Sequence, residues 1–168
     1  MYLAIFSQMK KQLGQIKIWL DAATTAAKGR SFDPDLFLAT RLAPDQFPLT
    51  RQIQVACDTA KLGASRLTEK PAPSHADDEK TIADLRARID STIEYLDGFS
   101  EADFEGAATR SITTPRWEGK TMAGADFLVE HVVPNFYFHL AHAYALLRHA
   151  GVQVGKRDYL GQLSMRAP

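Results

Sequence analysis

Cys57 is the single cysteine among 168 residues. An intramolecular disulfide is therefore impossible, and no CxxC or cysteine-rich zinc pattern exists. Net charge is missing too, since 20 Lys and Arg balance 20 Asp and Glu. With no long basic run, the chain lacks the electrostatic footprint of a nucleic-acid or anionic-membrane binder. No stretch approaches the roughly 18 consecutive apolar residues of a spanning helix. The opening MYLAIFSQMKKQL has no basic region ahead of its short apolar run, so it does not read as a signal peptide. A cytoplasmic protein, with neither nucleic acid nor membrane as partner, is the expectation. Internal repeats and low-complexity segments are also lacking. What is present is an ordinary globular composition, 45% hydrophobic and 24% charged, sufficient for one domain with a sizeable core.

The chain is organised around Ala125 to Gly151, which carries four of the five histidines. At about 100° per residue, His131, Asn135, His139, His142 and His149 share one narrow sector of a helix. Val133, Leu140, Tyr144 and Leu147 cover the far side. A helix apolar nearly all round is a buried one, so this is a central helix bearing a polar stripe. It is expected over 123–150, with a kink at Pro134, whose nitrogen cannot bond the carbonyl of Glu130. The kink would free a carbonyl near the polar stripe.

Three further helices precede it. Over 2–28, Phe6, Met9, Leu13, Ile16, Leu20, Ala23 and Ala27 alternate steps of three and four, as in a packed seam. Asp33-Pro34 can start a short helical turn through Phe37 and Leu38. A second helix is expected over 48–68, with Leu49, Ile53, Ala56, Ala60, Ala64 and Leu67 inward. Opposite lie Arg51, Gln54, Asp58, Lys61 and Ser65, either a solvated face or a partly covered one, since Phe47, Val55 and Leu62 flank it. The loop 69–77 holds His75, expected at the surface. A third helix is expected over 77–98, opened by Asp77 and Asp78 and closed by Gly98. The Thr-rich, Pro-broken stretch 109–122 reads as a small hairpin or extended excursion. The segment from Val152 onward is too interrupted by glycine for a helix and should pack over the bundle. These elements predict an all-α, antiparallel four-helix bundle in one domain spanning 1–168.

The run PNFYFHLAHAYALLRHAGVQVGKRDYLG, with RQIQVACDTAK upstream and FEGA before the excursion, resembles a bacterial and fungal family of unknown function. That family is placed within the DinB-like (YfiT-like) four-helix-bundle superfamily, and the likeness covers nearly the whole chain. It implies a bundle, commonly a homodimer, with a pocket at one end between helices. Many DinB-like proteins hold a divalent metal through three histidines, one from the second helix and two, as HxxxH, from the last. Some are thiol-dependent transferases or isomerases. Side chains at i and i+4 stack on a helix, so two imidazoles can converge on one ion. Carried over to this chain, Asn135 takes the first HxxxH position and His139 the second. Asp58 takes the second-helix position, with Cys57 one residue earlier as the alternative. Zinc, nickel or iron is the cofactor this implies. Asn135 and Asp58 are harder oxygen donors than imidazole, and an Asp/Asn/His set is weaker than three histidines.

Two polar stripes, one on each helix, are best buried against each other, because stranded polar groups cost about 1–3 kcal/mol each. Asp58, Asn135 and His139 should therefore lie within reach, with Gln54 and Lys61 on the same wall as ligand-binding groups. His139 is a metal ligand, an acid–base group, or a buried histidine bonded to the second helix. His142 and His149 read as packed or surface groups, and Cys57 as a small core residue. Lys156 and Arg157 are an anion-binding pair or a solvated one. Three functions of different class remain: a metal-assisted enzyme acting on a small molecule, a bundle without the metal that binds a small molecule or anion, and a dimeric structural or stress-associated protein with no site.

Overall fold

The computed structural model describes residues 1–167. α1 (Tyr2–Gly29) buries the expected seam, and Gln12 and Trp19 beside it as well. A 3-10 turn at Pro34–Ala39 follows, its Asp33 carboxylate accepting from the Asp35 backbone N–H at 2.9 Å, with Phe37 and Leu38 buried. α2 (Leu49–Thr68) and α3 (Ile82–Asp97) complete the first three helices of the bundle.

α3 starts later than the acidic pair Asp77-Asp78 suggests. Thr81 and Asp84 form a capping box, the hydroxyl accepting from the Asp84 N–H at 3.1 Å and the carboxylate from the Thr81 N–H at 2.9 Å. Asp77 instead adopts a positive φ of 59° and gives its carboxylate to two arginines. An acidic residue ahead of a helix is a capping signal only when its oxygens are not claimed elsewhere.

The hairpin is real and short: β1 (Ser111–Ile112) pairs antiparallel with β2 (Met122–Ala123), Ser111 opposite Ala123 and Ile112 opposite Met122. A 3-10 turn, Pro115–Trp117, lies between the strands. The last long helix runs in three stretches: α4 (Gly124–Asp126), a π-helical segment (Phe127–Val132) and α5 (Val133–His149). The widened stretch ends just before Pro134, where the missing N–H and the ring disrupt the regular ladder. The expected disturbance at Pro134 therefore takes the form of a π-turn.

The segment after Val152 does form one helix, contrary to expectation. α6 (Lys156–Leu160) is bounded rather than broken by Gly155 and Gly161. The Asp158 carboxylate accepts from the Gly155 N–H at 2.7 Å. α6 packs on α1, where Trp19 Nε1 donates to the Asp158 carbonyl at 3.0 Å and the Tyr159 ring stacks on Trp19 at 5.7 Å.

α2 is the central helix of the bundle, packed on α5, α3 and α1. Gln52 meets His139 and Thr59 meets Asn135, so α2 and α5 run antiparallel. The fold is an all-α bundle. No helix among the described residues is long and apolar enough to cross a membrane.

Candidate functional site

α2 and the π-segment approach closely at Gly63. A Cβ at that position would lie 2.8 Å from Val132 Cγ1, so only glycine fits without displacing the valine. Gly63 and Val132 also line a cavity of about 360 Å³. Asp58, Asn135 and His139 all line it; Gln54 and Lys61 do not.

Two hydrogen-bond chains orient the α5 side chains. Gln52 Nε2 donates to the Phe47 carbonyl at 3.1 Å, which leaves Gln52 Oε1 as an acceptor. Oε1 lies 2.7 Å from His139 Nδ1, so Nδ1 carries the proton and Nε2 the lone pair. In the second chain, the Thr59 hydroxyl donates to the Val55 carbonyl at 2.7 Å and accepts from Asn135 Nδ2 at 2.7 Å. Asn135 Oδ1 is thereby the free end of its amide. Neither His139 Nε2 nor Asn135 Oδ1 has a protein partner among the described residues, and neither is a sealed, unpaired atom. Both are acceptors open to the cavity. Burial, with His142 and Arg51 adding to it, lowers the His139 pKa to about 4, so the ring is neutral at pH 7.

Asp58 faces the cavity but its charge is already engaged. Oδ1 lies 2.8 Å from Arg88 Nη2 and 3.1 Å from Lys61 Nζ. Behind it sits a buried ion network. Arg88 also bonds Asp77 at 2.6 Å and Glu79 at 2.7 Å, and Gln54 Nε2 donates to Glu79 at 2.6 Å. Burial would raise the Asp77 and Glu79 pKa values, but the arginine hydrogen bonds outweigh it and hold both below the ordinary range. Gln54 and Lys61 belong to this network and face α3 and the loop before it. The wall expected to join them to His139 is thus divided: the α2 stripe is wide enough to serve two neighbours, and Arg51 and Asp58 touch both.

His75 is not a free surface residue. Its Nδ1 lies 2.8 Å from Lys61 Nζ and its Nε2 3.2 Å from Ser91 Oγ. An ammonium can only donate, so Nδ1 accepts and Nε2 carries the proton. Burial and then Lys61 and Arg88 lower its pKa. Of the other histidines, His131 stacks on Phe127 at 5.4 Å and meets Trp117 edge-on at 5.6 Å. His142 bonds the carbonyl of Phe138, one turn earlier on its own helix, and His149 is exposed. Cys57 is fully buried, which pushes its thiol up to about 12 and leaves it inert. Lys156 and Arg157 are exposed on α6 and do not line the cavity.

Sequence reasoning missed Gln52 and Thr59, which orient the two acceptors, and Arg88, which neutralises three carboxylates. Arg88 carried a signal. It lies one turn from Leu85 and Thr92 on the inward face of the third helix, where an arginine needs partners.

A model of a family described as a domain of unknown function (DUF1993) matches residues 1–160. The chain belongs to this family. The solved structures agree on its wider placement. A crystal structure of a DinB family member from Shewanella denitrificans superposes on this DUF1993 chain with a TM-score of 0.94 at 51% identity, covering 97% of this chain and 93% of that one. No curated protein matches. The DinB-like bundle implied by PNFYFH and GKRDYLG is therefore the fold of this DUF1993 member.

The metal implied by that superfamily can be tested against the donors present. Among the described residues, no group of three His, Cys, Asp or Glu side chains converges at metal-binding distance. Asp58, Asn135 and His139 share the cavity, yet Asp58 is neutralised by two cations that would repel an incoming dication. One imidazole nitrogen and one amide oxygen remain. This set does not fit a tightly held divalent ion.

Proposed function

We propose that this DUF1993 chain is a small-molecule-binding bundle whose cavity between α2 and α5 receives an organic ligand on protein groups alone. The observation that carries this reading is the pair of oriented acceptors. Four side chains and two backbone carbonyls are used to present His139 Nε2 and Asn135 Oδ1 to a cavity large enough for a small ligand. Such second-layer bonding costs polar burial and is expected where a ligand is to be oriented. A ligand hydroxyl, amine or amide N–H would complete both acceptors.

Fragment screening by 1H–15N NMR tests the reading. Fragments with hydrogen-bond donors should shift Thr59, Asn135 and His139, and these shifts should vanish in Asn135→Ala. Shifts confined to other surfaces, or none, would refute it. The metal-assisted enzyme is the second reading, favoured by the unprotonated His139 Nε2 sharing the cavity with Asn135. Elemental analysis of protein purified without a histidine tag separates the two. Stoichiometric zinc, nickel or iron, lost in His139→Ala, would displace the metal-free reading.

A homodimer is proposed as the working assembly. Phe47 and Phe138 are 51% and 54% exposed, and Val129 is 64% exposed on the π-segment. Large apolar groups left in water on the last long helix and just ahead of α2 suit a partner surface.

A further inference from the structure

The cavity has a second, cationic end that the two acceptors do not account for. Arg66 lies two turns beyond Thr59 on α2, about 10 Å along the axis. It lines the cavity and is half-buried, yet makes no hydrogen bond and no ion pair among the described residues. Every other arginine of α2 and α3 has a carboxylate partner: Arg51 with Asp77, Arg86 with Asp21, Arg88 with three acids. Arg116, on the turn before β2, reaches the same cavity, is exposed, and has no partner either. The only carboxylate on the lining is Asp58, which Arg88 and Lys61 already neutralise. Much of the remaining lining is apolar, with Leu62, Trp117, Phe127 and Val132.

We infer that the ligand is an organic oxyanion, a carboxylate or phosphate on an apolar body, with its anionic head on Arg66 and Arg116 and its other end toward Asn135. This rests on the small-molecule reading above and assigns its ligand class. A half-buried guanidinium loses hydration without recovering it from the protein, and it stays charged at any accessible pH. Burial lowers the Arg66 pKa with no acid beside it to oppose the effect. His131, next to it, is held below its ordinary value by burial and then by Arg66, so it adds no competing charge near neutrality. An oxyanion supplies what the site lacks, because guanidinium pairs with carboxylate and phosphate in a two-bond fork. The aromatic box of Trp117, Phe127 and His131 then covers the first carbons of the body.

The experiment titrates 4-phenylbutyrate, phenyl phosphate and the neutral 4-phenylbutyramide into wild type and Arg66→Gln, following heat and Trp117 fluorescence. At least one anion should bind about tenfold or more tightly than the amide, and Arg66→Gln should erase that preference, since a charge-assisted fork is lost. Which anion wins tells carboxylate from phosphate. The unliganded melting temperature of Arg66→Gln should be unchanged or higher, because no hydrogen bond or ion pair is removed and glutamine keeps part of the apolar stem; an arginine with a structural role would lower it. Equal binding of amide and anions, or an anion affinity indifferent to Arg66→Gln, would overturn the inference while leaving the small-molecule reading in place. Absence of binding by all three probes would also overturn it, and the fragment screen then decides the small-molecule reading independently.

Discussion

His139 illustrates how one side chain is set by its neighbours' neighbours. The Phe47 carbonyl orients Gln52, Gln52 chooses the tautomer of His139, and the exposed nitrogen is left a base. Its folded pKa of about 4 lies below the ordinary 6.5 of an unfolded histidine. The unfolded chain therefore binds the proton more readily. The contribution of His139 to stability is complete above pH 6.5 and is lost as pH falls from 6.5 toward 4, by roughly 3 kcal/mol. Urea unfolding at stepped pH should show this loss in wild type and a flatter profile in His139→Gln over the same window. An identical profile would mean that the ring takes up its proton as readily in the fold as in the unfolded chain. Asp77 and Glu79, held low by Arg88, lose their contribution only at more acid pH, so the two effects separate. His139 itself was legible in the sequence as part of a polar stripe on an apolar helix. Its partner was not, because Gln52 and Asp58 are both polar residues of α2 and periodicity alone cannot say which one turns toward α5.

At the scale of elements, the π-segment and Gly63 form one device. The π-turn displaces the register of Phe127–Val132 relative to α5, and Gly63 admits Val132 to the surface of α2. Gly63→Ala should destabilise the fold by about 1–3 kcal/mol through overpacking against Val132. The double variant Gly63→Ala with Val132→Ala should recover part of the loss, read from thermal or chemical unfolding. A Gly63→Ala protein as stable as wild type would show that the helices can move apart freely. The boundaries of α1 and α2 and the hairpin were readable from apolar spacing and turn residues. The start of α3 and the existence of α6 were not. Both depend on which backbone N–H an aspartate reaches, Asp84 in one case and Asp158 in the other, and that choice is made by tertiary contacts. The straight projection of His131 with Asn135 and His139 was also inexact, since a π-turn breaks the 100° step it assumes.

Across the whole molecule, the Arg88 network joins α2, α3 and the segment ahead of α3, which has little regular structure of its own. Arg88→Met should cost about 3–5 kcal/mol, since three partly buried carboxylates lose their shared cation. It should also make residues 69–81 susceptible to limited proteolysis. Resistance equal to wild type would show that the segment is held by packing instead. The proposed homodimer predicts a particle of twice the 18.6 kDa chain mass by light scattering at micromolar concentration, weakened in Phe138→Ser. A monomer throughout would remove it.

The docking of α6 on α1 has a consequence for how the chain is made. Trp19 donates to a carbonyl 139 residues later, and its ring is covered by Tyr144 and Tyr159. A nascent chain emerging from the ribosome carries this indole unsheltered through the synthesis of three further helices. The first helix cannot finish burying its surface until nearly all of the described chain has been translated. The final sheltering of Trp19 should therefore be among the last steps of folding to mature.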